Sequence, residues 1–264
     1  MKYMHFKSSC SYAALASIME RKGVDTEDFQ IALEMKLPWL FAKEGGGYVS
    51  GPMLQGAKWF DLWLRPRGYR MSETLLPRER LSAYLREHSP AMLGIQTDLG
   101  KHAVVFTGYD GAYHFLNPTY ENSGEPTNFS LEEAALLAAV SEEVMVGEIQ
   151  PAAAEPQDFA PLLRRSVTVL RENCGEILRF ASEKHEPDAY TLAMNRLFRP
   201  LLLDGITMLE LAGETALAQE FTVLQGQFLA FLHGTRKEPL REILSLERLH
   251  TLAEQYASMI EKHG

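Results

Sequence analysis

Three residues in the N-terminal half have the types and settings that nucleophilic acyl chemistry needs: Cys10, His102 and Asn117. Cys10 follows Ser8 and Ser9, good helix N-cap residues. It precedes Ala14, Leu15, Ile18 and Met19, which recur at the spacing of one helix face. The thiol therefore falls in a first helical turn, where free amides and the positive end of the helix dipole favour the thiolate, the nucleophilic form. A cysteine so placed is either that nucleophile or a small apolar residue packing where the helix enters the core. A nucleophilic cysteine needs a base, usually histidine, and a group that orients the base. His102 opens the run His-Ala-Val-Val-Phe-Thr-Gly directly after Gly100-Lys101, where a side chain points across a cleft towards a helix N-terminus. Asn117 ends the partner run, after the hairpin signal Asp110-Gly111 and before Pro118. A residue near the start of one strand faces a residue near the end of the next, so Asn117 is expected to hydrogen-bond the His102 ring and fix its tautomer. His5, His88 and His114 have other settings: just before the cysteine, at a helix end and within a strand.

The elements that position these residues follow from periodicity and breakers. After the Cys10 helix, Lys22-Gly23 is a stop, Thr26 to Met35 a second short helix and Pro38 its end. Trp39 to Pro52 is aromatic and glycine-rich without clean periodicity, and reads as a flexible loop over a cleft. Helices are expected over Met53 to Leu64, Arg78 to Glu87 and Ser130 to Val140, and strands over Ala91 to Gln96, His102 to Gly108, Ala112 to Asn117 and Glu143 to Ile149. Arg65 to Arg70, a basic cluster, reads as a solvated turn. Helices first and an antiparallel sheet second make an α+β domain over residues 1–150. Residues 151–157, rich in Pro and Ala, read as a linker. Residues 158–264 read as four amphipathic helices in an antiparallel bundle, structural or interactive, docking a protein partner or a second copy of the chain. The second of these is expected from Asp188 to Leu211, the third to stop at Gly234 and the last to start at Pro239. Cys174 lies in the seam Leu163, Val167, Leu170, Cys174, Ile177, Ala181 and reads as core. His185, His233, His250 and His263 read as surface residues.

Composition narrows the function classes. The chain has 264 residues, 46% of them hydrophobic, enough for a proper core, and two cysteines far apart in sequence. No Cys/His ligand cluster is present, so neither a metal nor another cofactor is expected. A net charge of −9, spread over both halves and without a basic stripe, disfavours nucleic acid. No apolar run has signal-peptide or membrane-spanning length, and unpaired thiols survive in reducing compartments, so a soluble cytoplasmic protein that does not contact membrane is expected.

The segments Ser-Ser-Cys-Ser-Tyr-Ala-Ala-Leu-Ala-Ser-Ile, Gly-Lys-His-Ala-Val-Val-Phe-Thr-Gly-Tyr-Asp and Tyr-His-Phe-Leu-Asn-Pro resemble the papain-like cysteine peptidases of the bacteriocin-leader, or double-glycine leader, type. The resemblance covers about residues 1–150 and implies a papain-like fold, with Cys10 as nucleophile, His102 as general base and acid, and Asn117 as the orienting residue. That family places a glutamine shortly before the cysteine as an oxyanion-hole donor. Here the segment is Tyr3-Met4-His5-Phe6-Lys7, which leaves the Cys10 amide as one donor and His5 or Lys7 to supply the other. The opening also resembles the N-terminal segment of butirosin biosynthesis protein H-type acyltransferases, which pass an acyl group from a carrier thioester to an amine. The aromatic and glycine-rich residues Trp39, Gly46, Tyr48 and Trp59 are then candidates for the wall of a substrate pocket. The expected function is a cysteine-dependent hydrolase of peptides or small amides. Acyl transfer to an amine is the alternative, and a catalytically silent, peptidase-like binding protein a further one.

Overall fold

The structure, a computed structural model, describes residues 1–98, 100–183, 187–233 and 239–264. Its regular elements run, in chain order, α1 (Cys10–Arg21), α2 (Asp28–Glu34), β1 (Phe41–Glu44), β2 (Gly47–Ser50), α3 (Ala57–Leu64), β3 (Tyr69–Pro77), α4 (Arg78–Glu87), β4 (Ala91–Thr97), β5 (Gly100–Tyr109), β6 (Tyr113–Leu116), β7 (Asn128–Leu131), α5 (Glu133–Ala138) and β8 (Glu143–Pro151). Then follow α6 (Ala160–Ser182), α7 (Pro187–Arg199), a π turn (Pro200–Asp204), α8 (Gly205–Leu211), α9 (Thr215–Leu232), α10 (Leu240–Ile243) and α11 (Leu246–Lys262). The protein is thus mixed α and β. It divides into two compact units, Met1–Met35 with Gln55–Gln157, and Lys36–Leu54 with Asp158–Gly264.

The first unit is built on a six-stranded sheet of order β3-β8-β4-β5-β6-β7 with every neighbour antiparallel. Leu81 and Leu85 of α4 and Leu136 of α5 pack with Leu93, Val104, Phe106, Phe115, Val144 and Val146 of the strands into one core. Helix α1 is buried from Ser11 to Met19 and packs on β5 and β4. Two strands of this sheet lie where the sequence suggested none. Tyr69–Pro77 pairs with β8 along its whole length, from Tyr69↔Pro151 to Pro77↔Glu143, so Arg70 belongs to a strand and only Arg65–Arg67 form a turn. Ser130 and Leu131 pair with His114 and Tyr113, which shortens the expected helix to Glu133–Ala138: ladder hydrogen bonds win over a weak helical preference. The expected linker is also tied back. Ala152 N–H donates to Gly68 O at 2.8 Å and Glu155 N–H to Arg65 O at 3.1 Å, so the first unit extends to Gln157.

In the second unit the α6 seam from Leu163 to Ala181, Cys174 included, is buried as its four-three spacing implies. The helix expected over Asp188 to Leu211 is broken, because Pro200 lacks the amide that would continue the ladder and a π turn follows. The last helix begins at Leu246 and not at Pro239. Ser245 caps it, its hydroxyl accepting from Arg248 N–H at 3.3 Å, while Pro239 precedes only the short α10. His185 and Gly234 lie outside the described residues, and His233, His250 and His263 are exposed.

The glycine-rich stretch departs furthest from expectation. It is a paired hairpin of this second unit, with register Phe41↔Ser50 to Glu44↔Gly47. Gly45 and Gly46 have φ of 56° and 77°, the positive values that a two-residue hairpin turn matched to strand twist demands, and that only glycine adopts without strain. Phe41 N–H donates to Ser166 Oγ at 2.9 Å, Ser50 Oγ to Pro200 O at 2.7 Å, and Tyr256 Oη to Pro38 O. Among the described residues, no helix is long and apolar enough to cross a membrane, and no group of three His, Cys, Asp or Glu side chains is placed to hold a metal.

Candidate active site

Cys10 is the first helical residue of α1 and Ser9 occupies the N-cap position. The chain enters the helix through Ser8 at φ 62°, a left-handed conformation uncommon outside glycine. His102 lies near the start of β5, opposite Ile95 of β4. Asn117 follows directly on β6, and its N–H donates to Thr127 O at 2.9 Å, continuing the β6–β7 ladder.

A β-bulge sets the relation between the last two. Tyr109↔Tyr113 and Gly108↔His114 are paired near the turn, but beyond a register shift the partners are Phe106↔Phe115 and Val105↔Leu116. One extra residue, Thr107, is accommodated on β5, and its hydroxyl donates to His114 O at 3.2 Å. Continuing that register puts Asn117 opposite Val104, two residues from His102 and therefore on the same face of the sheet. Without the bulge Asn117 would face Val105 and point the other way.

Two of the three side chains are joined by a hydrogen bond, and the third bears on their titration. His102 Nε2 donates to Asn117 Oδ1 at 2.8 Å. The amide is oriented from behind, since Asn117 Nδ2 donates to Pro126 O at 2.8 Å and only Oδ1 remains for the ring. Nε2 therefore carries a hydrogen, and Nδ1 is the nitrogen left for the thiol. The Cys10 thiol lies near enough to the His102 ring for each group to shift the other's titration. Burial alone pushes the Cys10 thiol up, but hydrogen bonds from His102, Ala103 N–H and Ser11 N–H, with the imidazolium charge, outweigh it and hold the thiol below its ordinary value. Burial likewise pushes His102 down. The Cys10 bond and charge, the Asn117 bond and the Glu125 carboxylate outweigh that, and His102 is raised. Both shifts favour a thiolate–imidazolium pair. Cys174 is the contrast: burial and then the Glu254 charge push its thiol up to about 12.

Around these three residues lie groups the sequence did not single out. Asp28 is fully buried in α2 and accepts from His5 N–H (2.8 Å), His5 Nδ1 (2.6 Å) and Ser9 Oγ (2.6 Å). Glu125 accepts from Thr119 Oγ1 at 2.9 Å. Burial, and after it the charges of Asp28 and Cys10, raise Tyr120. Asp28 reads in sequence as an ordinary acidic residue in a helix first turn. The one available signal is that Phe29, Ile31 and Ala32 follow it on a helix too short to keep it in water.

The expected oxyanion donors are placed otherwise. His5 turns its Nδ1 to Asp28 and its ring edge to Phe29, and Lys7 is exposed. Of the four expected pocket residues, three belong to the second unit. Trp39 stacks on His263 with ring centroids 4.3 Å apart, Tyr48 Oη accepts from Lys43 Nζ at 3.2 Å, and Gly46 is a turn residue. Trp59 is buried in α3 with the Lys58 ammonium 4.7 Å from its ring centroid. Compared with known proteins, the chain matches no family model and gives no significant match among curated proteins.

Proposed function

We propose that the chain is a cysteine-dependent acyl-transfer enzyme of papain-like design, working through a thioester on Cys10 and, in its first reading, hydrolysing a peptide or small amide. The observation that carries this is the His102 ring hydrogen-bonded to the backed Asn117 amide, beside a Cys10 thiol that is lowered while the imidazole is raised. A cysteine that merely packed would need no base, and a base that merely packed would need no backed amide to orient it.

The Cys10 thiolate adds to the substrate carbonyl carbon. A C–S bond forms and the carbonyl π pair moves to oxygen, giving a tetrahedral oxyanion. The Cys10 N–H, a first-turn amide that no intrahelical carbonyl can use, is available to that oxyanion. Collapse breaks the bond to the leaving amine, which takes the proton from His102 Nδ1. Neutral His102 then accepts a proton from water as its oxygen attacks the thioester; the C–S bond breaks, and the carboxylic product leaves with thiolate and imidazolium restored.

His5 Nδ1 is engaged by Asp28 and Lys7 is exposed, so neither of the two expected side-chain donors is held in place for the oxyanion. That favours a second reading, in which the acyl group arrives as a thioester, which needs less oxyanion stabilisation than an amide, and leaves on an amine. Both readings suit a cytoplasmic enzyme whose helical residues 158–264 form a bundle that docks a partner or a second copy. The test is the pH dependence of Cys10 alkylation by iodoacetamide, in Cys174→Ala and in Cys174→Ala/His102→Ala. Reaction persisting well below the unperturbed thiol pKa of about 8.5, and lost with His102, is expected. Ordinary thiol behaviour in both proteins overturns the reading, and a panel of peptide amides and acyl thioesters, with and without amines, separates its two forms.

A further inference from the structure

Serine at an N-cap position normally turns its hydroxyl back to accept the amide of the second or third helical residue, and this stabilises the helix by roughly 1 kcal/mol. In α1 the N-cap residue is Ser9 and the second helical residue is Ser11. Ser11 N–H, a first-turn amide, is among the groups that hold the Cys10 thiol low. A capping Ser9 hydroxyl and the thiolate would thus compete for the same end of the helix. The structure resolves the competition in favour of the sulfur. Ser9 Oγ makes no cap and donates to Asp28 Oδ2 at 2.6 Å. Asp28 is 0% exposed and also holds His5 through both its N–H and its Nδ1, while Phe29 N–H donates to its Oδ1 at 2.7 Å. A buried carboxylate with this many donors on segment 5–9 costs several kcal/mol to desolvate and must be fully paired to persist, so its partners are strongly constrained.

We infer that Asp28 is a positioning residue for the nucleophile: it draws the Ser9 hydroxyl off the α1 N-terminus and so leaves the Ser11 amide to the Cys10 sulfur. This rests on the reading of Cys10 as a nucleophile. It runs against simple electrostatics. The charged groups that bear on the site are His102 on β5, which acts on the thiol, Glu125 in the segment after β6, which acts on His102, and Asp28 on α2, which with Cys10 acts on the Tyr120 phenol. As a bare anion Asp28 would oppose a thiolate, and neutralising it would make Cys10 more acidic. As a positioning residue it does the opposite.

The experiment is the pH profile of Cys10 alkylation in the full chain carrying Cys174→Ala, compared with the same protein bearing Asp28→Asn, Ser9→Ala, or both. Asparagine keeps the size but has one oxygen for the four donors that Asp28 holds, and the Ser9 hydroxyl, the donor free to rotate, falls back to cap. Asp28→Asn is expected to slow alkylation at pH 6 about tenfold, the effect of one charge-assisted hydrogen bond. Ser9→Ala alone is expected to change nothing. Adding Ser9→Ala to Asp28→Asn is expected to restore the rate, because no hydroxyl is left to compete. An unchanged or faster rate in Asp28→Asn, or a slow rate that Ser9→Ala does not rescue, overturns the inference. If Asp28→Asn does not fold, Ser9→Ala decides alone, and a rate loss there overturns it. A parent protein whose Cys10 alkylates as an ordinary thiol instead overturns the nucleophile reading itself.

Discussion

At the scale of single residues, the polarity of the His102–Asn117 bond fixes what substitution there does. His102 Nε2 donates to a neutral amide oxygen, so the bond supports the imidazolium without a full charge, and losing it lowers the His102 pKa. The lowered thiol and the raised imidazole both favour the Cys10–His102 ion pair, whose upper pH limit is loss of the imidazolium proton. Asn117→Ala is expected to move the upper limit down by about one pH unit, for a hydrogen bond to a charged group. Asn117→Asp adds a negative charge beside the ring and is expected to move that limit up. Titrating the His102 ring by NMR in the three proteins checks this, and shifts of the same sign in both variants contradict the hydrogen-bond account. The three candidate side chains were legible in the sequence because each stands at an element boundary with its own marker, Ser9, Gly100 and Pro118. Asp28 carries no such marker. Its importance comes from residues 19 and 23 positions away, which a reading of local pattern does not connect.

At the scale of elements, registers and breaks decide what a pattern of alternation leaves open. The hairpin around Asp110-Gly111 was readable, but its bulge was not, because Thr107-Gly108 looks like continued strand. Yet the bulge decides the face on which Asn117 lies, so a correct pairing reached from the turn alone needed one more residue than turn chemistry shows. The π turn after α7 is a comparable case in the second unit. Its carbonyls also take side-chain donors. Pro200 O, which accepts Gly205 N–H, also accepts from Ser50 Oγ, and Leu202 O accepts from Gln225 Nε2. The same turn carries Asp204, 7% exposed, whose carboxyl burial pushes up to about 6 although Arg199 Nε donates to it at 3.3 Å and pulls it down. A carboxyl with a folded pKa above its unfolded value of about 3.9 contributes most below that value and loses the contribution as pH rises through the folded pKa. At pH 7 its ionised form is therefore a cost. Asp204→Asn keeps an oxygen for Arg199 and is expected to stabilise the protein by on the order of 1 to 3 kcal/mol at pH 7, and by nearly nothing at pH 4. Thermal unfolding at the two pH values measures it, and destabilisation at pH 7 would mean that the Arg199 ion pair outweighs desolvation.

At the scale of the whole molecule, the chain's two units are not its two halves. Composition put one division in a Pro- and Ala-rich stretch, and a unit boundary does fall there, after Gln157. What composition could not show is that Lys36–Leu54 joins the helical residues, because hairpins read as loops when their alternation is blurred by aromatics and glycines. The consequence is a test of autonomy. The helical segment 158–264 carries Tyr256, which packs edge-on against Trp39 and Phe41 with ring centroids 6.1 and 5.3 Å away, and Ser166 and Pro200, which hydrogen-bond Phe41 and Ser50. Removing Lys36–Leu54 forfeits the burial of Trp39 and Phe41, roughly 1.5 to 3 kcal/mol each. Three hydrogen bonds, with that from Tyr256 to Pro38, contribute about 1 kcal/mol each. That sum is comparable to the whole stability of an ordinary domain, about 5 to 15 kcal/mol. Residues 158–264 expressed alone are therefore expected to show helical circular dichroism without a cooperative thermal transition. A fusion that returns Lys36–Leu54 ahead of Asp158 through a glycine-serine linker is expected to recover one, and to lose it again on Trp39→Ala. A cooperative transition in the bare 158–264 fragment would show that the hairpin decorates the helices and does not complete their core.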